Sequence, residues 1–363
     1  FNQLIFNTLT ITHSTFNFIT MEILLGLLII TIGSIGVSSS YIPINKIKQW
    51  SWENFWMMQG IFAWIVFPFL GALLAVGENR SLIDIWTQGG ALQAIIYGVL
   101  WGVGGLTFGL GMRYLGVALG QSIGMGTCSA FGTILPPLLA GSDLFHGKGL
   151  LLLIGVSIMI AGISIIGYAG CLRNKNMSEE EKRAAIKDFA LTKGLVVAFL
   201  AGAMSACFNL GLESGAPMKE YAVTTGCNAL FAGLPVIFLV TIGGFCTNAS
   251  YCIYQNIKNN TTREYFSVSP AVFLNNTLFC ALAGVLWYSQ FFGLETGKSF
   301  IPQDSTLYAF SWSILMSLNV IASNVWGIIL KEWKGAGLKT ICTLLAGLAV
   351  LITSIIVVSI AQQ

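Results

Sequence analysis

Ten long apolar runs limit the fold of this chain more than any other feature of its sequence. They lie at about 22–42, 54–76, 89–111, 115–140, 148–168, 194–213, 221–246, 270–294, 306–330 and 338–360. A run of roughly 20 apolar residues is long enough to cross the hydrocarbon core of a bilayer as a helix. The runs are continuous rather than alternating, which favours helices over the strands of a barrel. We therefore expect an all-α integral membrane protein with ten transmembrane helices.

The composition agrees with this class and excludes several others. Of the 363 residues, 55% are hydrophobic and 9% are charged, whereas soluble domains carry about 25% charged residues. The eight cysteines are scattered singly, so the sequence predicts no disulfide framework, no metal site and no cofactor. Residues 1–20 lack a starting Met and a basic region, and we expect them to be a non-native or disordered extension rather than a secretory signal.

Basic residues predict the orientation in the membrane. Fourteen of the eighteen Lys and Arg residues fall in alternate loops, and the opposite loops hold only Arg80, Lys148, Lys219 and Lys298. Loops rich in Lys and Arg face the cytoplasm, so both chain termini are expected outside. The excess of basic residues behind the net charge of +3 lies in loops that face the anionic inner leaflet, so the charge implies no nucleic-acid partner.

The charge-dense segment 171–193 divides the chain into two parts of five helices each. We interpret it as a cytoplasmic linker containing a short amphipathic helix, with repeats at 21–170 and 194–363. Because five is odd, the second repeat must enter the membrane from the opposite side, which gives an inverted five-plus-five repeat. Transporters built this way open a shared site alternately to the two sides.

A repeated tetrapeptide supports the duplication. The sequence GVLW occurs at 98–101 and at 284–287, in helices three and eight, which are equivalent positions. A fainter similarity pairs the segment from Gly26 with the segment from Gly194, in helices one and six. The repeat predicts that Trp101 and Trp287 lie near a common axis and face a shared chamber.

Polar and aromatic residues inside the apolar runs are the candidates for substrate binding, because polar groups are costly in the membrane unless they face its protein interior. Amides offer both donors and acceptors to hydroxyl groups, and aromatic faces pack on the C–H faces of a sugar ring. The candidates for a neutral sugar are Trp101, Trp287, Tyr288, Gln290, Asn209 and Gln93. Each candidate also has a structural interpretation. The amides can hydrogen-bond neighbouring helices, and the aromatic side chains can lie at the membrane–water interface.

Four ionisable residues near or within the helices are candidates for coupling to an ion, namely Glu53, His146, Glu213 and Glu295. Of these we select Glu53 and Glu213 for proton coupling, because a carboxyl group in an apolar setting can bind a proton on one side and release it on the other. Alternatively, Glu53 caps helix two and Glu213 is a solvated helix end. Coupling to Na⁺ also remains open.

The sequence contains no arrangement typical of an enzyme. It has no His/Glu metal spacing, no Ser/His/Asp set and no phosphate-binding loop. It also lacks the long loops that a sensor domain would need. An exporter of small metabolites or cationic drugs is the alternative on the same architecture.

Several segments resemble one transporter family. YIPINKIKQWSWENFW at 41–56, LWGVGGLTFGLGMRYLG, LWYSQFFG and LKEWKGAG look like the L-rhamnose/proton symporters of the drug/metabolite transporter superfamily, over about residues 22–361. The resemblance implies ten helices in an inverted repeat and inward, proton-driven transport of L-rhamnose across a bacterial inner (plasma) membrane. Its expected partners are the sugar, the proton and the lipid bilayer, and it leaves the oligomeric state open. The chain departs from the family pattern at Glu213 and in a longer polar loop at 254–265.

Overall fold

The computed structural model describes residues 2–76, 81–176, 190–331 and 333–360, and within these ranges it contains helices and no strands. Ten helices are long and apolar enough to span a membrane, which confirms the predicted fold class. They are α1 (Asn2–Ser39), α2 (Trp52–Leu73), α3 (Ala91–Leu115), α4 (Val117–Leu139), α5 (Gly147–Asn176), α6 (Leu191–Thr224), α7 (Leu234–Asn259), α8 (Pro270–Lys298), α9 (Thr306–Ile329) and α10 (Leu338–Ile360). Shorter helices lie at Tyr41–Ile44, Leu82–Trp86, Ala229–Phe231, Thr261–Arg263 and Glu264–Ser267.

Two predicted spans are displaced in the structure: α7, predicted at about 221–246, lies at Leu234–Asn259, and α6 continues past its predicted end near residue 213 to Thr224. This helix has three consecutive segments, which we call α6a (Leu191–Ser205), α6b (Cys207–Ser214) and α6c (Ala216–Thr224). Gly215 and Pro217 mark the second break, because proline has no N–H for the helical hydrogen bond and its ring crowds the preceding turn. The chain therefore stays helical for about three further turns, to Thr224, instead of ending near residue 213.

Two regions of the predicted domain division are only partly visible. The amphipathic helix expected in the linker falls largely on 177–189, outside the described residues. Helix α5 reaches Asn176 and so extends into the expected linker. The division into repeats at 21–170 and 194–363, and the status of residues 1–20, stay predictions.

The packing of the helices is symmetric in the way that two related halves require. Helix α1 packs along α8 and α6a packs along α3, while α4 packs on α9 and α5 on α10. Exchanging each helix with the one five places away converts this set of pairs into itself. The arrangement is therefore that of an inverted repeat rather than a linear succession of hairpins.

The glycines of the two GVLW segments show the same relation at atomic level. A Cβ on Gly98 would collide with the carbonyl of Val240 on α7, and a Cβ on Gly284 would collide with Phe62 and Ala63 on α2. Small residues at such points allow the backbones of two membrane helices to approach. The two copies thus fill equivalent interfaces, α3 with α7 and α8 with α2.

Helix α2 contains a wide turn beside the centre of the bundle. Ile61–Val66 is π-helical, and the N–H of Phe67 bonds to the carbonyl of Phe62, five residues earlier. Pro68 has no N–H to give to Trp64, which helps to explain why the regular ladder is interrupted here. The indole of Trp64 folds back over Gly60, where a Cβ would touch its ring.

Candidate functional site

An aromatic chamber lies at the centre of the bundle. Its lining includes side chains from α2, α3, α6b, α8 and α9, which are Trp64, Trp101, Phe208, Trp287, Gln290, Phe291 and Trp312. We call this cavity the tryptophan chamber; its volume is about 80 Å³. Trp101 and Trp287 are in contact across it, with ring centroids 5.7 Å apart. The two repeated tryptophans therefore face a common cavity, as the repeat predicts.

The rings of the tryptophan chamber meet mainly at their edges. Trp64 forms a triangle with the two repeated tryptophans, 6.0 Å from Trp101 and 5.8 Å from Trp287, with interplanar angles of 87° and 86°. Phe208 completes the contact on the other side of Trp101, at 5.0 Å. Edge-to-face contacts of this kind leave part of each ring face available to another apolar group.

The polar groups around the tryptophan chamber are neutral. Gln290 donates from Nε2 to the carbonyl of Trp287 at 3.2 Å, and its Oε1 accepts from Nδ2 of Asn319 at 3.2 Å. Asn319 Oδ1 and the Trp64 indole N–H are buried without a protein partner. Among the residues that the structure describes, those that line the chamber include no Asp, Glu, Lys or Arg. Such a lining can hydrogen-bond hydroxyl groups but offers no counter-ion to a charged substrate.

A stack of three rings separates the tryptophan chamber from a second cavity. Phe208 of α6b and Phe291 of α8 are stacked at 3.9 Å, with an interplanar angle of 10°. Trp312 of α9 lies 6.1 Å from Phe208 and 6.3 Å from Phe291, and its indole N–H donates to the carbonyl of Cys128. We call these three residues the aromatic gate.

The second cavity, here called the vestibule, lies where α4 and α8 end and α9 begins. Its volume is about 390 Å³, and Trp312 lines both it and the tryptophan chamber. Asn209, Glu213, Lys298 and Tyr308 supply most of its polar surface. Asn209 is held in place by a hydrogen bond from Nδ2 to the carbonyl of Gly132, at 2.7 Å.

A cluster of charged residues lies beside the vestibule. Glu295 is 5% exposed and pairs with two lysines, with Lys219 Nζ at 3.0 Å from Oε2 and Lys298 Nζ at 3.8 Å from Oε1. Lys298 also lies 3.8 Å from Oε1 of Glu213, whose side chain is 48% exposed. Tyr308 accepts a hydrogen bond from Lys219, and Lys298 lies over its ring. We call these five residues the ion cluster.

The opposite end of the bundle is closed by hydrogen bonds between the start of α2 and the α7–α8 loop. Glu53 accepts from Asn259 Nδ2 at 2.9 Å and from Thr261 Oγ1 at 2.7 Å. Glu264 accepts from the backbone N–H of Ser51 at 2.6 Å and from Asn54 Nδ2 at 2.8 Å. Two carboxylates therefore lie at the N-terminus of α2: Glu53 in its first turn, which also joins α2 to the end of α7, and Glu264 from the α7–α8 loop.

Burial at this closed end also affects Tyr265, which lies in the α7–α8 loop. Its hydroxyl donates to the carbonyl of Asn54, and its ring lies 5.1 Å from that of Trp50. Desolvation raises the pKa of the Tyr265 hydroxyl, and the nearby thiols and carboxylates add to the effect. Tyr265 therefore stays protonated and keeps its donor role over the physiological pH range.

The candidates for substrate binding fall in four places. Trp101, Trp287 and Gln290 line the tryptophan chamber, and Asn209 lines the vestibule. Tyr288 is buried in the interface with α2, where its hydroxyl lies against Gly71 and has no protein partner. Gln93 is exposed near the start of α3, away from both cavities.

The two candidates for proton coupling lie at opposite ends of the bundle. Glu213 lines the vestibule and takes part in the ion cluster. Glu53 lies at the closed end, where the hydrogen-bond donors to its carboxylate are neutral side chains.

Sequence reasoning missed the roles of Lys219, Lys298 and Trp312. The two lysines counted only as basic residues of the less basic loops. The Glu-x-x-Lys spacing of Glu295 and Lys298 was nevertheless a signal of ion pairing on one helix face. Trp312 lies in an apolar run and carries no repeat or motif that marks it, so its place in the gate depends on the packing of α9 against α6b and α8.

Comparison with known proteins adds the family. The model of the family described as L-rhamnose-proton symport protein (RhaT) matches residues 19–362. The L-rhamnose-proton symporters of Yersinia pestis (strain Pestoides F) and Yersinia pseudotuberculosis (serotype O:1b, strain IP 31758) are each 33% identical to this chain over 335 residues. These alignments cover 91% of this chain and 95% of each relative. The family is one of transporters rather than enzymes, and this chain, with its ten spans and central chamber, belongs to the L-rhamnose-proton symport family.

Proposed function

We propose that this protein is a secondary transporter that imports a neutral sugar, with L-rhamnose as the first candidate, together with a proton. The observation that carries the proposal is the tryptophan chamber, which joins the two halves of the bundle and has a neutral, aromatic lining. The names of the relatives support the choice of sugar and of coupling ion. We also propose that the protein belongs to the drug/metabolite transporter superfamily and lies in a bacterial inner membrane with both termini outside.

The chemistry of the tryptophan chamber suits a deoxy sugar better than a charged metabolite. L-rhamnose has hydroxyl groups on one part of its ring and a methyl group in place of the usual hydroxymethyl. Gln290 and the free N–H of Trp64 offer hydrogen bonds to hydroxyl groups, while Met125, Cys128 and Met316 line an apolar part of the wall. An ammonium or carboxylate substrate would lose its hydration there without gaining a counter-ion.

In this structure the substrate site is contracted and the vestibule is the larger cavity. The tryptophan chamber has about 80 Å³ of space against about 390 Å³ in the vestibule. A sugar therefore requires the aromatic side chains to separate before it can occupy the chamber. We assign the vestibule to the outer side of the membrane, because the less basic loops lie at this end of the bundle.

Transport by the purified protein in proteoliposomes tests the proposal. We expect labelled L-rhamnose to accumulate inside when the outside is made acidic, and we expect a proton ionophore to abolish the accumulation. Exchange of internal for external sugar should persist in the presence of the ionophore, because exchange needs no net proton movement. Absence of both accumulation and exchange for L-rhamnose and other neutral hexoses would refute the proposed substrate class and favour export of another metabolite.

A further inference from the structure

The ion cluster and the aromatic gate connect the same two helical segments. Phe208 and Glu213 both lie on α6b, and Phe291 and Lys298 both lie on α8. The first residue of each pair forms the stacked contact at 3.9 Å, and the second forms the ion pair at 3.8 Å. The stacked contact lies between the tryptophan chamber and the vestibule, and the ion pair can be changed by a proton.

We propose that Glu213 and Lys298 form a proton-sensitive lock on the aromatic gate. A proton that binds to Glu213 from the vestibule neutralises the carboxylate, weakens its pairing with Lys298, and allows α6b and α8 to separate at Phe208 and Phe291. The tryptophan chamber then opens to the vestibule and can admit sugar. This inference rests on the proposed function, because it assigns the proton of the symport to a residue and a movement.

Accessibility selects Glu213 rather than Glu295 as the group that exchanges the proton. Glu213 has a half-exposed side chain that lines the vestibule, whereas Glu295 is buried and held between two lysines. The titratable groups that surround Glu213 in the lining of the vestibule and its neighbouring pocket are Lys298, Glu295, Lys219 and Tyr308. With both carboxylates ionised the four charges balance, and protonation of Glu213 leaves one positive charge in excess beside the vestibule.

The first half of the chain has no counterpart of this device at the equivalent positions. Counting from the first residue of each GVLW segment, Phe291 corresponds to Gly105 and Glu295 corresponds to Gly109. A Cβ on either glycine would meet nothing within 4 Å, so α3 leaves open space where α8 places the gate and the cluster. The two halves share their helix packing but differ in these side chains. The proton-sensitive contact therefore lies on the vestibule side.

Linkage fixes the direction of the effect. The contact between Lys298 Nζ and Glu213 Oε1 at 3.8 Å belongs to the closed arrangement and requires an ionised carboxylate. Protonation of Glu213 therefore removes a contact of the closed arrangement only, and shifts the equilibrium toward the open one. For a half-exposed ion pair the shift corresponds to about a two- to fivefold change in the open population.

Amide hydrogen exchange tests the lock without using sugar. Exchange of Cys207–Ser214, corrected for the intrinsic effect of pH, would be compared at about pH 3.5, which is below the reference pKa of a glutamate side chain, and at about pH 6. The comparison would include the wild type, Glu213→Gln and Glu220→Gln. Glu220 is an exposed carboxylate on α6c and serves as the matched control. We expect about a two- to fivefold faster exchange at acid pH in the wild type and the control, and fast, pH-independent exchange in Glu213→Gln.

Two further variants keep the test decisive. Glu213→Asp retains a titratable carboxylate and should recover a pH response, and Lys298→Gln removes the cation and should lose it. Retention of the wild-type pH response in Glu213→Gln or in Lys298→Gln would overturn the proposal, as would a loss of response in Glu220→Gln.

L-rhamnose exchange in proteoliposomes separates this inference from the proposed function. With equal pH on both sides, exchange should become faster at acid pH in the wild type and should be independent of pH in Glu213→Gln. If the wild type moves no rhamnose while amide exchange still responds to pH through Glu213, the proposed sugar is wrong and the lock stands. If the wild type transports rhamnose and Glu213→Gln keeps a normal pH response, the lock is wrong and the transport function stands.

Discussion

At the scale of single residues, the tryptophans of the tryptophan chamber differ in whether the indole N–H has an acceptor within the protein. Trp312 gives its N–H to the carbonyl of Cys128, and Trp56 gives its N–H to Oδ1 of Asn248, so these indoles are oriented by the protein. Trp64 has no such partner for its buried N–H. A sugar hydroxyl can therefore be recognised by Trp64 without breaking a hydrogen bond of the protein.

Replacement of Trp287 tests whether its ring contributes to binding. We expect Trp287→Ala to weaken L-rhamnose binding by about three- to tenfold, which corresponds to about 0.5–1.5 kcal/mol for the loss of an aromatic contact. Trp287→Phe should retain most of the affinity, because a ring face remains. Binding would be followed by isothermal calorimetry in detergent. Trp52→Ala, which removes an exposed tryptophan outside the tryptophan chamber, is the matched control, and equal losses in both variants would contradict the assignment.

Replacement of Glu295 should act mainly on stability. Its side chain is the buried carboxylate between Lys219 and Lys298, so Glu295→Gln leaves two largely buried ammonium groups with weaker compensation. Loss of one partner from a buried ion pair costs about 3–5 kcal/mol, and we expect a clearly lower melting temperature in detergent. Glu220→Gln should leave the melting temperature unchanged. A Glu295→Gln protein as stable as the wild type would show that the cluster is more hydrated than its burial indicates.

At the scale of helices, close backbone contact determines which glycines matter. Gly98 lies directly against the Val240 carbonyl of α7, whereas Gly109, three turns along the same helix, faces open space. The sequence shows both as glycines in one apolar run and cannot distinguish them. Only the packing partner decides whether a methyl group can be accommodated.

Alanine substitutions at these two glycines form a matched pair. Gly98→Ala should force α3 and α7 apart and reduce both the yield of folded protein and its melting temperature, because backbone atoms cannot move aside as a side chain can. Gly109→Ala should be neutral or stabilising by up to about 1 kcal/mol, since alanine is the better helix former. Thermal unfolding in detergent, followed by circular dichroism, would measure both. Equal effects at the two positions would contradict the described α3–α7 contact.

At the scale of the whole molecule, two closures act on one central site. The aromatic gate lies between the tryptophan chamber and the vestibule, and hydrogen bonds accepted by Glu53 and Glu264 join α2 to the α7–α8 loop at the opposite end. Both closures are present together in this structure, with the chamber contracted between them. Alternating access requires contacts of these two kinds to open one at a time.

The orientation of the bundle can be tested with reporters at its ends. If both termini are outside, an alkaline phosphatase fused after Gln363 should be active in a bacterial host, because that enzyme folds only outside the cytoplasm. A phosphatase inserted in the 171–193 linker should be inactive, since the same interpretation places this linker inside. The reverse pattern would invert the assignment of the vestibule and the direction of the proton-sensitive side.

Much of the fold follows from sequence because span length and apolarity are local properties. The ten spans and the equivalence of Trp101 and Trp287 were predictable, since a helix of fixed rise must fill a bilayer of fixed thickness and a repeat preserves register. The breaks in α6 and the grouping of Glu213 with Glu295, Lys219 and Lys298 were not, because they depend on which faces of α6, α8 and α9 meet. For the same reason Tyr288, next in sequence to Trp287, lies in another interface.

The wide turn at Ile61–Val66 has a consequence for the two ends of α2. One extra residue in a turn rotates the side chains that follow it by about 100° around the helix axis, given 3.6 residues per turn. Trp56, before the turn, packs edge-to-face on Trp64, while Gly71, after the turn, lies against the hydroxyl of Tyr288. Deleting one residue from this segment would restore a regular α-helix. The helix could then keep the contact of Trp56 with Trp64 or that of Gly71 with Tyr288, but not both.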